Sequence, residues 1–171
     1  KAWPIFLIFF ITALFITGNN DKVSAAMVLL MGDLHIGAAE VGLLVTISSV
    51  LGGVAAVPIG AIMVKTGPRK MGMAAIVLAL LGCLLAAALP TYVPLMISRI
   101  FDGLAMGMIS VVVPTVIASS FPEEKRGLPM GIWSCWVSIG YIIVLQGAAL
   151  LGSEENPHTW IRLWWVLAAV F

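Results

Sequence analysis

The sequence predicts an all-α membrane protein, a bundle of six apolar helices whose last member is incomplete. Three observations predict it. Apolar residues make up 61% of the chain and charged residues only 10%, with a mean hydropathy of +1.12. A soluble domain of 171 residues needs far more charge on its surface. The apolar runs are about 20 residues long, the length that crosses the hydrocarbon core of a bilayer. They also show no period-two alternation. Only helices and closed barrels satisfy every backbone group in lipid, so this pattern selects helices.

The first span covers residues 4–31 and contains the polar run Gly18-Asn19-Asn20-Asp21-Lys22. Val23–Met31 is too short to cross alone, so both pieces belong to one span. The second span is read at residues 41–64, the third at 71–89 and the fourth at 92–119, with Pro114 late in it. The fifth covers 128–151. The sixth opens at Trp160 and reaches Phe171, where the sequence ends. A helix over 160–171 rises about 18 Å against a core of roughly 30 Å, so continuation of the complete protein is expected. Turn residues punctuate the short connections, as in Lys65-Thr66-Gly67-Pro68-Arg69-Lys70, Leu89-Pro90-Thr91, Phe121–Gly127 and Gly152–His158.

Basic residues set the expected orientation. Lys1, Lys65, Arg69, Lys70, Lys125 and Arg126 fall on one side, and Arg162 alone on the other. The positive-inside rule assigns the basic side, with the N-terminus, to the cytoplasm of a plasma or bacterial inner membrane. A net charge of +1 gives no reason to expect nucleic acid as a partner. Cys83 and Cys135 lie inside apolar runs and read as small buried residues, not as a disulfide, metal or redox pair. No cofactor and no cleavable signal peptide are expected. Neither His-Glu metal spacing, a Ser–Lys dyad nor paired aspartates at matching depth occurs, which argues against an enzyme.

The turn after the second span, with its lead-in Gly60-Ala61-Ile62-Met63-Val64, resembles the signature of the major facilitator superfamily. That signature reads Gly, three residues, Asp, Arg, any, Gly, any, Arg, Arg or Lys. Gly60, Gly67, Arg69 and Lys70 match, Lys65 stands for Arg, and Val64 occupies the Asp position. Arg99-Ile100-Phe101-Asp102-Gly103-Leu104-Ala105-Met106-Gly107 is similar to the family's fourth-helix pattern. Asp33-Leu34-His35-Ile36-Gly37 and Trp160-Ile161-Arg162-Leu163-Trp164 also agree, so the resemblance runs the whole chain in order. It implies an N-terminal six-helix half made of two inverted three-helix repeats, which works with a second half from the same or another chain. It further implies a conformational-switch loop at Gly60, Lys65, Gly67, Arg69 and Lys70. The glycine–proline signature of drug/proton antiporters is absent, because Tyr141 follows Gly140.

Two constellations are candidates for function. Lys22 lies about 7 Å past the midpoint of the first span, still within hydrocarbon. A charge there costs at least about 2.5–3.5 kcal/mol unless paired or wetted. Four consecutive polar side chains cover most of a helix's circumference, so one points into a neighbouring helix or the helix opens at Gly18. Asn19 and Lys22 share a face, and with Asn20 they are candidate solute ligands. The alternative is a snorkelling Lys22 and an Asp21 that caps a break. Arg99 and Asp102, spaced i, i+3, can pair, either as a structural ion pair or with Arg99 meeting the solute. Asp21 or Asp102 would then take the coupling proton. The resemblance places helices one and four at the central cavity. Trp133, Trp136, Tyr141 and Gln146 add a candidate aromatic and polar wall in span five, with lipid-facing aromatics as the alternative. Gly52-Gly53 and Gly103-x-x-x-Gly107 read as close helix contacts, and Pro58, Pro114 and Pro129 as kinks.

The expected activity is therefore secondary transport of a small polar solute, anionic or zwitterionic, by alternating access in the bilayer. Coupling to protons through Asp21 or Asp102, as in symport, and uniport are both open. An exporter of amphipathic compounds and a non-transporting scaffold or receptor on the same fold are the alternatives.

Overall fold

The computed structural model describes residues 2–152 and 156–171. Lys1, counted above on the basic side, and residues 153–155 of the last connection lie outside the described residues. The chain forms eight helices within them: α1 (Ala2–Ala25), α2 (Met27–Leu34), α3 (Ala38–Thr66), α4 (Pro68–Ala88), α5 (Tyr92–Ser120), α6 (Gly127–Ser134), α7 (Trp136–Leu151) and α8 (Trp160–Val170). Five stretches are long and apolar enough to cross a membrane, with α6 and α7 counting as one.

The first span is one rod with a single irregularity. The helix runs unbroken through Gly18–Lys22, so it does not open at Gly18. It is interrupted at Ala26 (φ −102°, ψ 18°), where the ladder continues through Ala26 N–H to Lys22 O at 2.9 Å and Leu30 N–H to Ala26 O at 3.0 Å. The polar side chains find partners on other helices, described below, so the backbone has no need to open. The fifth span is likewise interrupted at Cys135, whose N–H is shared between the carbonyls of Ile132 and Trp133. Pro129 lies in the first turn of α6, where proline is tolerated, and not at a kink. Pro58 and Pro114 are inside α3 and α5.

Successive spans alternate in direction. Phe6 and Phe10 of α1, Met63 of α3, Met71 of α4 and Ile117 of α5 share one apolar cluster. Val23, Val41, Ala86, Leu95 and Trp160 share another at the opposite end. The turns 65–70 and 121–127 therefore emerge at the end where α1 begins, and Trp3 meets Phe121 edge-to-face at 5.3 Å.

In lipid there is little hydrophobic drive between helices, so close backbone approach does the packing. A Cβ on Gly103 would lie 2.5 Å from Ser48 O, and one on Gly107 2.7 Å from Gly52 O. α3 and α5 meet along this seam. Gly53 does not join it: no atom lies within 4 Å of where its Cβ would be.

Candidate functional site

Between the two apolar clusters lies a band of buried polar side chains. At 100° per residue, α1 turns Asn19 and Lys22 toward α5 and fans Asn20 and Asp21 to the side. Asn19, Lys22, Arg99 and Asp102 are all at most 1% exposed.

Asp102 is the hub. Its Oδ2 accepts from Lys22 Nζ at 3.0 Å and from Arg99 Nη1 at 2.5 Å, and its Oδ1 accepts from Asn19 Nδ2 at 2.7 Å. Lys22 Nζ also donates to Asn19 Oδ1 at 2.6 Å. The i, i+3 pairing of Arg99 with Asp102 expected from sequence is present, and Lys22 joins it across the α1–α5 contact. Arg99 spreads its remaining donors over two helices. Nη2 reaches the backbone carbonyl of Asn20, the Asn20 side chain at 3.2 Å and Ser48 Oγ at 2.9 Å, while Nε reaches Leu44 O at 3.3 Å. Cys83 of α4 donates to Asn19 Oδ1 at 3.1 Å. Gly82 lets α4 come this close: a Cβ there would sit 3.0 Å from Asp102 Oδ1.

Taking such charges out of water costs several kcal/mol per ion, and only a full set of partners offsets that. The set is full, yet the charges do not balance. Two fully buried cations share one fully buried carboxylate. Asp21 is half-buried at the rim, where it accepts from Asn20 Nδ2 at 3.2 Å. Lys22 does not snorkel, and Asp21 caps no break.

A crevice of about 290 Å³ opens beside the cluster, lined by Asn20, Ser48, Ser49, Gly52, Gly107 and Ser110. Asn20 and Ser48 belong both to its wall and to the shell around Arg99. A larger groove of about 640 Å³ runs along α1 and α4 near the basic end. Its wall combines Ile5, Ile8, Phe9, Met73 and Ile76 with Thr12, Arg69, Ser119 and Ser120, but none of the buried cluster lines it, so the smaller crevice, which shares Asn20 and Ser48 with the cluster, is the better candidate.

The structure does not bring the span-five candidates to the cluster. Trp133 and Trp136 stack with centroids 4.2 Å apart and belong to the apolar cluster at the basic end. Tyr141 and Gln146 are exposed, on a different side of α7 from Gly140, Val144 and Ala148, which are buried. In the switch loop Gly60 is half-buried, Lys65, Arg69 and Lys70 are exposed, and Gly67 has φ +81°. None of the three cations makes a salt bridge among the described residues. Val64, at the position of the family's Asp, is 87% exposed.

Sequence reasoning missed Ser48, Ser49, Ser110, Cys83 and Trp164. It also missed the clasp at the far end, where Asp33 accepts from Trp160 Nε1 at 2.7 Å and lies 3.0 Å from His158 Nδ1.

The family model described as Major Facilitator Superfamily matches residues 5–171. A D-xylose transporter of Levilactobacillus brevis is 28% identical over 128 residues, covering 73% of this chain and 27% of that protein. A galactose-proton symporter of Escherichia coli strain K12 is 33% identical over 127 residues, covering 72% of this chain and 26% of that protein. A nitrite extrusion protein of Bacillus subtilis is 24% identical over 139 residues, covering 81% and 35% respectively. The chain thus spans roughly a quarter to a third of the length of these relatives.

Proposed function

The chain belongs to the major facilitator superfamily, and from that premise we propose that it forms the N-terminal half of a proton-coupled secondary transporter for a small anionic or zwitterionic solute. One observation carries the reading: Lys22 and Arg99 are buried with a single fully buried carboxylate among the described residues, beside a crevice whose wall includes Asn20 and Ser48. Such a cluster is costly in a bilayer and has little value as packing alone. A solute carboxylate or oxyanion in the crevice would compete with Asp102 for Arg99, and a proton on Asp102 would release the cations to it, with Asp21 at the rim as the alternative proton acceptor. The two halves then rock about this site, which faces alternate sides of the membrane in turn. The N-terminus and the basic turns lie in the cytoplasm, by the excess of Lys and Arg at that end. The second half comes from the same chain or another.

A second reading, a neutral polyol as solute, is favoured by the crevice wall itself. Ser48, Ser49 and Ser110 line it, and the relatives include sugar transporters. Uptake into proteoliposomes decides between the two. The full-length protein is given D-galactose, D-xylose or nitrite with and without an inward proton gradient, alongside Lys22→Ala and Arg99→Ala. The expected result is gradient-driven uptake that both variants abolish. Gradient-driven uptake of nitrite supports the anionic solute, and of a sugar the neutral one. Wild-type rates in both variants, with folding intact, would remove the two cations from the site.

A further inference from the structure

Trp164 is buried completely, and its indole Nε1 has no hydrogen-bond partner among the described residues. A buried donor without an acceptor is destabilising, and a phenylalanine could fill much of the space without that cost. The indole must therefore do something that its N–H does not. Its ring face answers the question: Lys22 Nζ stands 5.4 Å from the ring centroid.

An ammonium group has three donors. Two of those on Lys22 go to Asn19 Oδ1 and Asp102 Oδ2. The π face of Trp164 supplies the third neighbour, and tryptophan is the best of the aromatic side chains at this. The ring is itself fixed, edge-to-face against Trp160 at 4.7 Å. The Cys83 thiol lies 3.3 Å from the backbone carbonyl of Trp164 and 3.1 Å from Asn19 Oδ1, two acceptors within reach of its one proton. α8 thus touches the cluster twice, once through a ring and once through a carbonyl.

We propose that Trp164 is a positioning residue: it holds the Lys22 ammonium on Asp102 by a cation–π contact, which makes the sixth span part of the coupling site. The contact stands on geometry alone. Its role in coupling rests on the transport reading above.

The test is a thermal double-mutant cycle on the full-length protein in detergent. Trp164→Leu and Trp164→Phe are each made in the native background and in Lys22→Met. Trp164→Leu is expected to lower Tm by about 1–2 °C more with Lys22 present than with Met there. Trp164→Phe should restore part of that difference, because a weaker π face remains. An equal loss in both backgrounds would overturn the proposal. If Trp164→Leu does not fold, the Trp164→Phe and Trp164→Tyr pair is read in the same two backgrounds, with the same criterion.

A second readout separates positioning from packing. Gradient-driven uptake of D-galactose is compared with its counterflow, which needs no net proton movement. Trp164→Leu should depress driven uptake more than counterflow, with Trp164→Phe in between, whereas a packing defect would lower both in proportion and count against the proposal. Should the wild type move none of D-galactose, D-xylose or nitrite, the transport reading fails, and the thermal cycle still decides whether Trp164 holds Lys22.

Discussion

Asp102→Asn should destabilise this protein far more than Lys22→Met, although each removes one charge. Asp102 faces Lys22 at 3.0 Å and Arg99 at 2.5 Å. At an effective dielectric of about 20, each contact is worth on the order of 5 kcal/mol of Coulomb attraction before desolvation is counted. Asparagine keeps the shape but leaves two cations in a site that is at most 1% exposed, with no anion between them. Breaking one buried pair costs about 3–5 kcal/mol, and this substitution breaks two at once, so a loss of about 5 kcal/mol is the lower expectation. That is a large part of the 5–15 kcal/mol typical of a folded domain, and it corresponds to about 10–20 °C in Tm for a chain of this size. Lys22→Met leaves a matched pair: Arg99 keeps Asp102, and Asn19 Oδ1 keeps the Cys83 thiol as donor. Its cost should stay below about 3 kcal/mol. Unfolding of both variants at one scan rate in one detergent measures the difference. Equal losses, or the larger loss in Lys22→Met, would refute the view that Asp102 is the one carboxylate, among the described residues, that pairs directly with both buried cations.

The seam between α3 and α5 makes a sharper test of packing. Gly107→Ala should cost about 1–3 kcal/mol, because its Cβ would meet Gly52 O at 2.7 Å, whereas Gly53→Ala should be close to neutral; Tm in a common detergent reads both. Ser48→Ala should cost about 1.5–3 kcal/mol by removing the 2.9 Å acceptor of Arg99, and in uptake assays it should lower the affinity for the solute more than the maximal rate.

Much of the fold was legible because the solvent is lipid. Charged and polar residues are rare enough in these spans that each run of apolar residues marks a helix, and the expected bounds of spans two to five fall within a few residues of α3, α4, α5 and the α6–α7 pair. The interruptions were not legible. Gly18 is the residue a reader would suspect, yet the helix holds there and yields at Ala26, which has no breaking tendency of its own. Cys135 is similar. These bends follow from how neighbouring helices pack, and no local propensity records that. Gly52 and Gly53 make the same point: one lies against Gly103 and the other faces open space, a difference of 100° around one helix.

The site divides along the same line. Lys22, Arg99 and Asp102 stand out because an ionisable group in hydrocarbon demands a reason. Ser48, Cys83 and Trp164 demand none, since serine, cysteine and tryptophan are ordinary residues in a membrane helix. They become visible only once the helices are in place. What they add is a mechanical link. Arg99 is rooted in α5 but bonds to Leu44 O and Ser48 Oγ on α3, across the seam where Gly103 lies against Ser48. A slide of α3 along α5 would strain these bonds while the pairing of Arg99 with Asp102, within α5, could persist. On the transport reading, a solute that competes for Arg99 therefore also acts on the bonds that tie α5 to α3.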